Sequence, residues 1–287
     1  MRRIVFTITG IILCMIMNVQ FVSAQNPNSY ANAWSTKSGT LNVQCLVNYP
    51  FAYEGADGQM MGIEVDIINS FVKWLNDKKG IKVTVVMEKN DDFSKFYDKV
   101  KTSKSISIGA GSVTVASDRA REVRFSSPYL RNKPIFVTNI MKATLTDIRN
   151  ISKEFNGMTA VVVKGSIHEK TIKSIKESYW PEMNIELVES PSIVLDKIST
   201  SEKYFGYVDL ITYWAAIQKE EKPIKIHRLN LTNSENFAFI FPKSSDWYIP
   251  FNEFFDSGLG FPGKAEYMEI LQKHLSSVVI NAVAVEY

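Results

Sequence analysis

Apolar positions along the chain follow two periods in turn. Leu41 to Leu46 and the β-branched run Lys82 to Met87 read as strands. Between them Ile67, Ile68, Phe71, Val72 and Leu75 keep helical spacing, and Asp57-Gly58 marks a hairpin turn before Met60. Phe96 and Val100 lie on a second helix that follows Asp92-Phe93-Ser94. The alternation continues with strand Pro134 to Ile140, a short helix Asp147 to Phe155, and a buried strand Met158 to Val163. Helix Ile167 to Tyr179, strand Asn184 to Val188 and helix Ser192 to Thr200 come next. A strand ending at Asp209, a strand Phe237 to Lys243, and helices Asp246 to Phe255 and Ala265 to Leu275 close the pattern. The apolar tail Ser277 to Ala284 is assigned no element. Strands alternating with helices predict an α/β chain with a parallel or mixed sheet.

The first residues break from this pattern. Arg2 and Arg3 precede an apolar run from Ile4 to Met17, and Val22-Ser23-Ala24 supplies small residues at a cleavage point. This reads as a secretory signal peptide, residues 1–24, cut after Ala24. A membrane anchor needs a longer apolar run, and this one is broken by Thr7, Thr9, Gly10 and Asn18. Cys14 follows Leu13, which does not fit a lipid-attachment site. Residues 25–40 are rich in Asn and Ser and are expected to be a flexible lead-in.

Charge and cysteine content narrow the function. The formal charge of +3 falls to +1 without Arg2 and Arg3, so neither nucleic acid nor a strongly anionic membrane is an expected partner. Cys45 then stands alone, so no intrachain disulfide is possible. His168 belongs to no metal-spaced pair, and neither a P-loop nor a nucleophile elbow is present. No cofactor, metal or catalytic residue is expected.

The stretch Gly109 to Tyr129 carries the candidate chemistry. Its small residues would let the backbone approach a ligand. Ser112 and Thr114 offer hydroxyls and N–H groups, and Ser117-Asp118-Arg119 reads as a helix start. Arg119 there suits a carboxylate, which guanidinium grips with two parallel hydrogen bonds. A lone Arg in this setting is commonly only a surface residue beside a turn. Asp209 ends an aromatic and apolar strand. It could cap the helix from Leu210 or face a cation.

Thr114, Arg119, Phe125, Ser126 and Tyr129 fall at the offsets of small-Gly-x-Thr-x-Thr-x-x-Arg followed by Phe-Ser-x-x-Tyr. This resembles the signature of the family 3 extracellular solute-binding proteins, which deliver polar amino acids to ABC importers. Ser112 and Ala116 depart from the pattern's Gly and second Thr. Pro50-Phe51, Gly62-Ile63-Glu64-Val65-Asp66, Lys164-Gly165-Ser166 and Phe237 to Lys243 resemble further family segments.

The resemblance implies an α/β, two-lobed periplasmic binding protein type II fold. Its two crossovers would lie near residues 130–137 and 232–238. Lobe 1 would comprise 41–133 and the returning 235–287, with lobe 2 at 134–234. It implies that Arg119, helped by Thr114, binds a ligand α-carboxylate and that Asp209 binds the α-ammonium. Ser112 and Ser166 would add polar contacts, and Phe93 an aromatic ring. Tyr49 is a second aromatic candidate, and Tyr49 and His168 are the guesses for contacts to the ligand side chain. The implied protein is a periplasmic monomer whose partners are an amino acid and the membrane permease of an ABC importer. Two rivals stand beside it. One is a cyclohexadienyl dehydratase on the same fold, which needs a placed acid. The other is a stand-alone amino-acid sensor.

Overall fold

A computed structural model describes residues 26–227, 229, 235–258 and 260–285; the expected signal peptide lies outside them. The chain opens with α1 (Tyr30–Thr36), β1 (Ser38–Leu46), β2 (Tyr53–Glu54), β3 (Met60–Met61) and α2 (Ile63–Trp74). It continues through β4 (Lys82–Asn90), α3 (Phe93–Thr102), β5 (Ile108–Thr114), β6 (Arg124–Phe125) and β7 (Leu130–Asn132). Next come β8 (Pro134–Asn139), α4 (Ile151–Glu154), β9 (Thr159–Val163), α5 (Ile167–Tyr179), β10 (Asn184–Val188) and α6 (Pro191–Thr200). β11 (Tyr204–Asp209), α7 (Leu210–Lys219), β12 (Ile224–His227), β13 (Glu235–Phe241), α8 (Tyr248–Asp256), α9 (Ala265–His274) and α10 (Ser277–Val283) complete it.

Two mixed sheets result. The first runs β4-β1-β5-β13-β6, with β7 also on β13; the second runs β10-β9-β11-β8-β12. β1, β4 and β5 are parallel and β13 is antiparallel to β5. In the second sheet β9, β10 and β11 are parallel while β8 and β12 run against them. Each sheet and its helices make one lobe. Phe71, Trp247, Phe251, Phe254 and Tyr267 dominate the core between the first sheet and its helices, and Phe136, Phe155 and Phe205 the core of the second lobe. A further continuous apolar cluster joins Leu46, Phe93 and Val113 of the first lobe to Val163, Val188 and Leu195 of the second.

Three local expectations change. Residues 30–36, expected to be flexible, form α1. Ser29 caps it by accepting the Asn32 N–H at 3.1 Å, and Asp246 accepts the Tyr30 and Ala31 N–H groups. Ala33 packs so close that a Cβ on Gly39 would lie 2.6 Å from its own. Composition suggested a loose segment, but a few tertiary contacts order it. Secondly, Gly109 to Gly111, assigned no element in the sequence, belong to the central strand β5 and make room for α3, while Gly111 also lines the cavity described below. A Cβ on Gly111 would lie 2.6 Å from Phe96 Cε1, and one on Gly109 2.8 Å from Val100 Cγ2. Finally, the unassigned tail is α10, which buries Val279, Ile280 and Val283 against the first lobe.

Candidate functional site

β5, α3, the start of α5 and the end of β11 converge where the lobes meet. Their cavity measures about 40 Å3 and is lined by residues that include Phe93, Ser112, Thr114, Arg119, Ser166, His168 and Asp209. A water needs roughly 10–15 Å3 of such space, so the cavity holds a few waters in this arrangement of the lobes but not a whole amino acid. The lobes touch along the cleft. Phe93 N–H donates to Glu189 O at 3.0 Å, Lys170 pairs with Asp118, and Lys219 Nζ lies 4.2 Å from the centre of the Tyr49 ring.

Arg119 is 6% exposed and sits in a three-residue 3-10 turn rather than the start of a long helix. Nη1 donates to Thr114 O at 3.2 Å, and Nη2 crosses the cleft to Gly165 O at 3.1 Å. Its guanidinium carbon lies 5.3 Å from the Phe93 ring centre and 5.4 Å from that of Tyr97. Those rings stack nearly parallel, at 18°. Among the described residues the guanidinium's hydrogen bonds go to neutral carbonyls and no carboxylate accepts from it, while the Arg119 backbone N–H donates to Asp118 Oδ1 at 2.9 Å. Burial works against the charge and lowers its pKa, while Tyr97, Asp118 and Glu235 oppose that shift. A desolvated guanidinium held by carbonyls is a strong receptor for an anion.

Asp209 lines the same cavity. It occupies the cap position of α7, yet its side chain makes no capping hydrogen bond. Its carboxylate turns instead toward Asn132, whose amide donates to Asp209 Oδ1 and, at 3.1 Å, to Glu235 Oε2. His168, the second residue of α5, brings Nε2 to 3.3 Å from Asp209 and 4.0 Å from Glu235. That nitrogen is buried without an aligned hydrogen bond. Burial would lower the His168 pKa, but the charge and hydrogen-bonding reach of Asp209, then the charge of Glu235, raise it overall. Burial likewise raises Glu235, with His168 and Asn132 acting against the shift. His168, Asp209 and Glu235 offer donor atoms within 4.8 Å of one another and are the described residues that could hold a metal ion. Asn132 already aims its amide N–H at both carboxylates, which suits an ammonium guest as well.

The remaining candidates fall unevenly. Thr114 lines the cavity, but its hydroxyl donates to Glu235 Oε2 at 3.1 Å, while its carbonyl serves Arg119. Ser166 lines it too and is occupied in capping α5: Oγ accepts the Glu169 N–H and donates to Val163 O. Ser112 stands at φ 44°, the left-handed region where the family pattern has Gly. Its N–H and that of Gly111 both donate to Glu64 Oε1 at 3.0 Å. Tyr49 lies outside the cavity lining. Its ring packs on Tyr53 with centres 4.8 Å apart, and the neighbouring Asn48 lines the cavity instead.

Glu64 supports the site from beneath. It is fully buried and also accepts the Tyr129 hydroxyl at 2.7 Å, while Oε2 has no partner among the described residues. Burial pushes its pKa up to about 7, against the pull of the Ser112, Tyr129 and Gly111 hydrogen bonds. Glu64, Asn132 and Glu235 carried no sequence signal of their own, since each acquires its role only through partners from other strands.

Residues 42–274 match the family profile of bacterial extracellular solute-binding proteins, family 3. The L-cystine-binding protein TcyJ of Escherichia coli K12 is 24% identical over 203 residues, 68% of this chain and 68% of that protein. A membrane-bound lytic murein transglycosylase F of Saccharophagus degradans is 23% identical over 199 residues. That match covers 68% of this chain but 36% of the transglycosylase. Among solved structures, a putative L-cystine ABC transporter protein from Listeria monocytogenes superposes with TM-score 0.70 at 14% identity, covering 83% of this chain and 97% of the other. A histidine-bound ABC transporter substrate-binding protein of Streptococcus pneumoniae gives 0.67 at 19% identity, with 86% and 96% covered. Among the described residues no helix is long and apolar enough to cross a membrane.

Proposed function

Because the chain belongs to family 3 of the bacterial extracellular solute-binding proteins, we propose that it captures an amino acid between its lobes and hands it to an ABC importer. Arg119 receives the α-carboxylate and Asp209 the α-ammonium. The observation that carries this reading is that opposite charges line one cavity. The Arg119 guanidinium, hydrogen-bonded to carbonyls, and the Asp209 carboxylate, which shares the Asn132 amide with Glu235, both face it. Phe93 supplies an apolar wall beside the guanidinium.

Capture works by closure. Ligand contacts from β5 and Arg119 belong to one lobe, those from Asp209 and α5 to the other. Only the closed state makes both sets, so the ligand stabilises it by its differential affinity. Lys170–Asp118 and the Arg119–Gly165 bond lie across the same seam and would re-form on each closure. The cystine named for TcyJ and the histidine bound to the Streptococcus protein support the ligand class. The lobe limits at 133/134 and 234/235, the monomeric state, a periplasmic address after signal cleavage, and a permease partner belong to the same proposal.

Mass spectrometry of small molecules released by denaturing the purified protein, followed by thermal shift against each amino acid, tests it. An amino acid should be released and should raise the melting temperature. Stabilisation by no amino acid, or steady conversion of prephenate to phenylpyruvate, would overturn it.

A further inference from the structure

We propose that His168, Asp209 and Glu235 bind a divalent transition-metal ion, and that this ion competes with the amino acid because Asp209 serves both. The metal site stands on its own geometry, whereas the competition rests on the amino-acid reading above.

Three elements deliver the donors. His168 comes from the first turn of α5 and Asp209 from the end of β11, both in the second lobe, and Glu235 opens β13 of the first. One donor atom from each lies within 4.8 Å of the other two. Zinc lies about 2.0–2.2 Å from imidazole nitrogen and carboxylate oxygen, so two ligands of a tetrahedral ion stand roughly 3.3 Å apart. His168 Nε2 and Asp209 Oδ1 are 3.3 Å apart, and Glu235 Oε2 is 4.0 Å from the same nitrogen. A small side-chain adjustment closes the set on one ion.

The histidine is the observation that points to a guest. Acidic clusters commonly hold none, but His168 is 7% exposed, and its buried Nε2 has no hydrogen-bond partner among the described residues. Leaving a buried ring nitrogen unsatisfied costs free energy, and a bond to a metal removes that cost. The carboxylates are already braced: Asn132 donates to both and Thr114 donates to Glu235. Outer partners of this kind orient metal-binding carboxylates. The adjoining cavity of about 40 Å3 has room for a water to fill the fourth position. One imidazole with two carboxylates suits zinc and its first-row neighbours, whereas calcium and magnesium prefer oxygen alone. A divalent ion displaces to solvent any proton on the groups it binds, so geometry defines the donor set whatever its protonation without the ion. Because the donors come from both lobes, a bound ion would tie the lobes together across their seam.

Calorimetric titration of Zn2+ into the purified, chelator-treated protein tests the site, with the visible absorption of Co2+ as a second probe. One ion should bind per chain and raise the melting temperature. His168→Ala should weaken zinc at least tenfold and abolish the Co2+ absorption. Should His168→Ala fail to fold, Glu235→Gln carries the test with the same expected tenfold loss. No saturable zinc binding, or folded variants that bind zinc as tightly as the wild type, overturns the site. For the competition, zinc should weaken the wild type's apparent affinity for the amino acid that stabilises it by at least tenfold. The same titration on the zinc-deficient variant corrects for chelation of zinc by the free amino acid. An affinity no more sensitive to zinc than the variant's overturns the competition. A protein that binds zinc at these residues but no amino acid overturns the proposed function and leaves the metal site standing.

Discussion

Replacing Glu64 with Gln should change how stability depends on pH, by an amount the structure fixes. Glu64 is fully buried and its pKa rises from 4.5 to about 7. A carboxyl that titrates higher in the folded state binds its proton more tightly there. Its ionisation therefore costs stability as pH rises between about 4.5 and about 7, and the full cost persists above that window. Each pKa unit is about 1.4 kcal/mol, so the cost is roughly 3 kcal/mol. Gln keeps an oxygen for the Gly111 and Ser112 N–H groups and the Tyr129 hydroxyl. Its amide nitrogen would take the place of Oε2, which has no partner among the described residues, for a pH-independent penalty of about 1–3 kcal/mol. The absolute stability of the variant thus has no fixed sign, but the pH dependence of the difference does. Urea denaturation followed by circular dichroism at pH 4.5 and pH 8 should show Glu64→Gln gaining roughly 3 kcal/mol relative to wild type on going to pH 8. Every other titrating group is common to both proteins and cancels. Two stability curves that stay parallel across this range would refute the argument.

Gly111→Ala would place a methyl 2.6 Å from Phe96 Cε1 in a packed core, so it should lose about 1–3 kcal/mol in the same denaturation assay. Asn132→Ala removes the donor shared by Asp209 and Glu235. It should lower the melting temperature by leaving two carboxylates without their shared donor, and differential scanning fluorimetry at neutral pH reads the loss. Tyr49→Ala, outside the cavity lining, should alter ligand affinity by less than about 1 kcal/mol by calorimetry, because it deletes only a peripheral ring contact.

Local chemistry was legible in the sequence where one segment supplies it. Arg119 with Thr114, and Asp209 at a strand end, could be picked out because the spacing of each lies within a few residues. Both reach the same cavity. The alternation of β-branched strands with helices likewise announced the α/β class. β5 escaped as a strand because Gly109, Ala110 and Gly111 have almost no side chains from which to read a period, and their smallness serves the packing of Phe96 and Val100. α1 and α10 escaped because tertiary contacts, not propensity, order them. Glu235, Asn132 and Glu64 could not be read in advance. Glu235 and Asn132 gain their roles where β13 pairs with β7, and Glu64 where α2 meets β5 and Tyr129, and a carboxylate looks solvated until its neighbours are known.

The central claim is that Arg119 and Asp209 hold opposite ends of one amino acid. Titration calorimetry of the amino acid that stabilises the wild type, against Arg119→Lys and Asp209→Asn with circular dichroism as the folding control, tests it most directly. An ammonium cannot reproduce the planar fork of guanidinium, and Asn keeps the size of Asp while losing its charge. Truncating a desolvated charge pair costs about 2–5 kcal/mol, so each folded variant should bind at least tenfold more weakly. Folded variants that bind with wild-type affinity would remove both residues from the site and contradict the account.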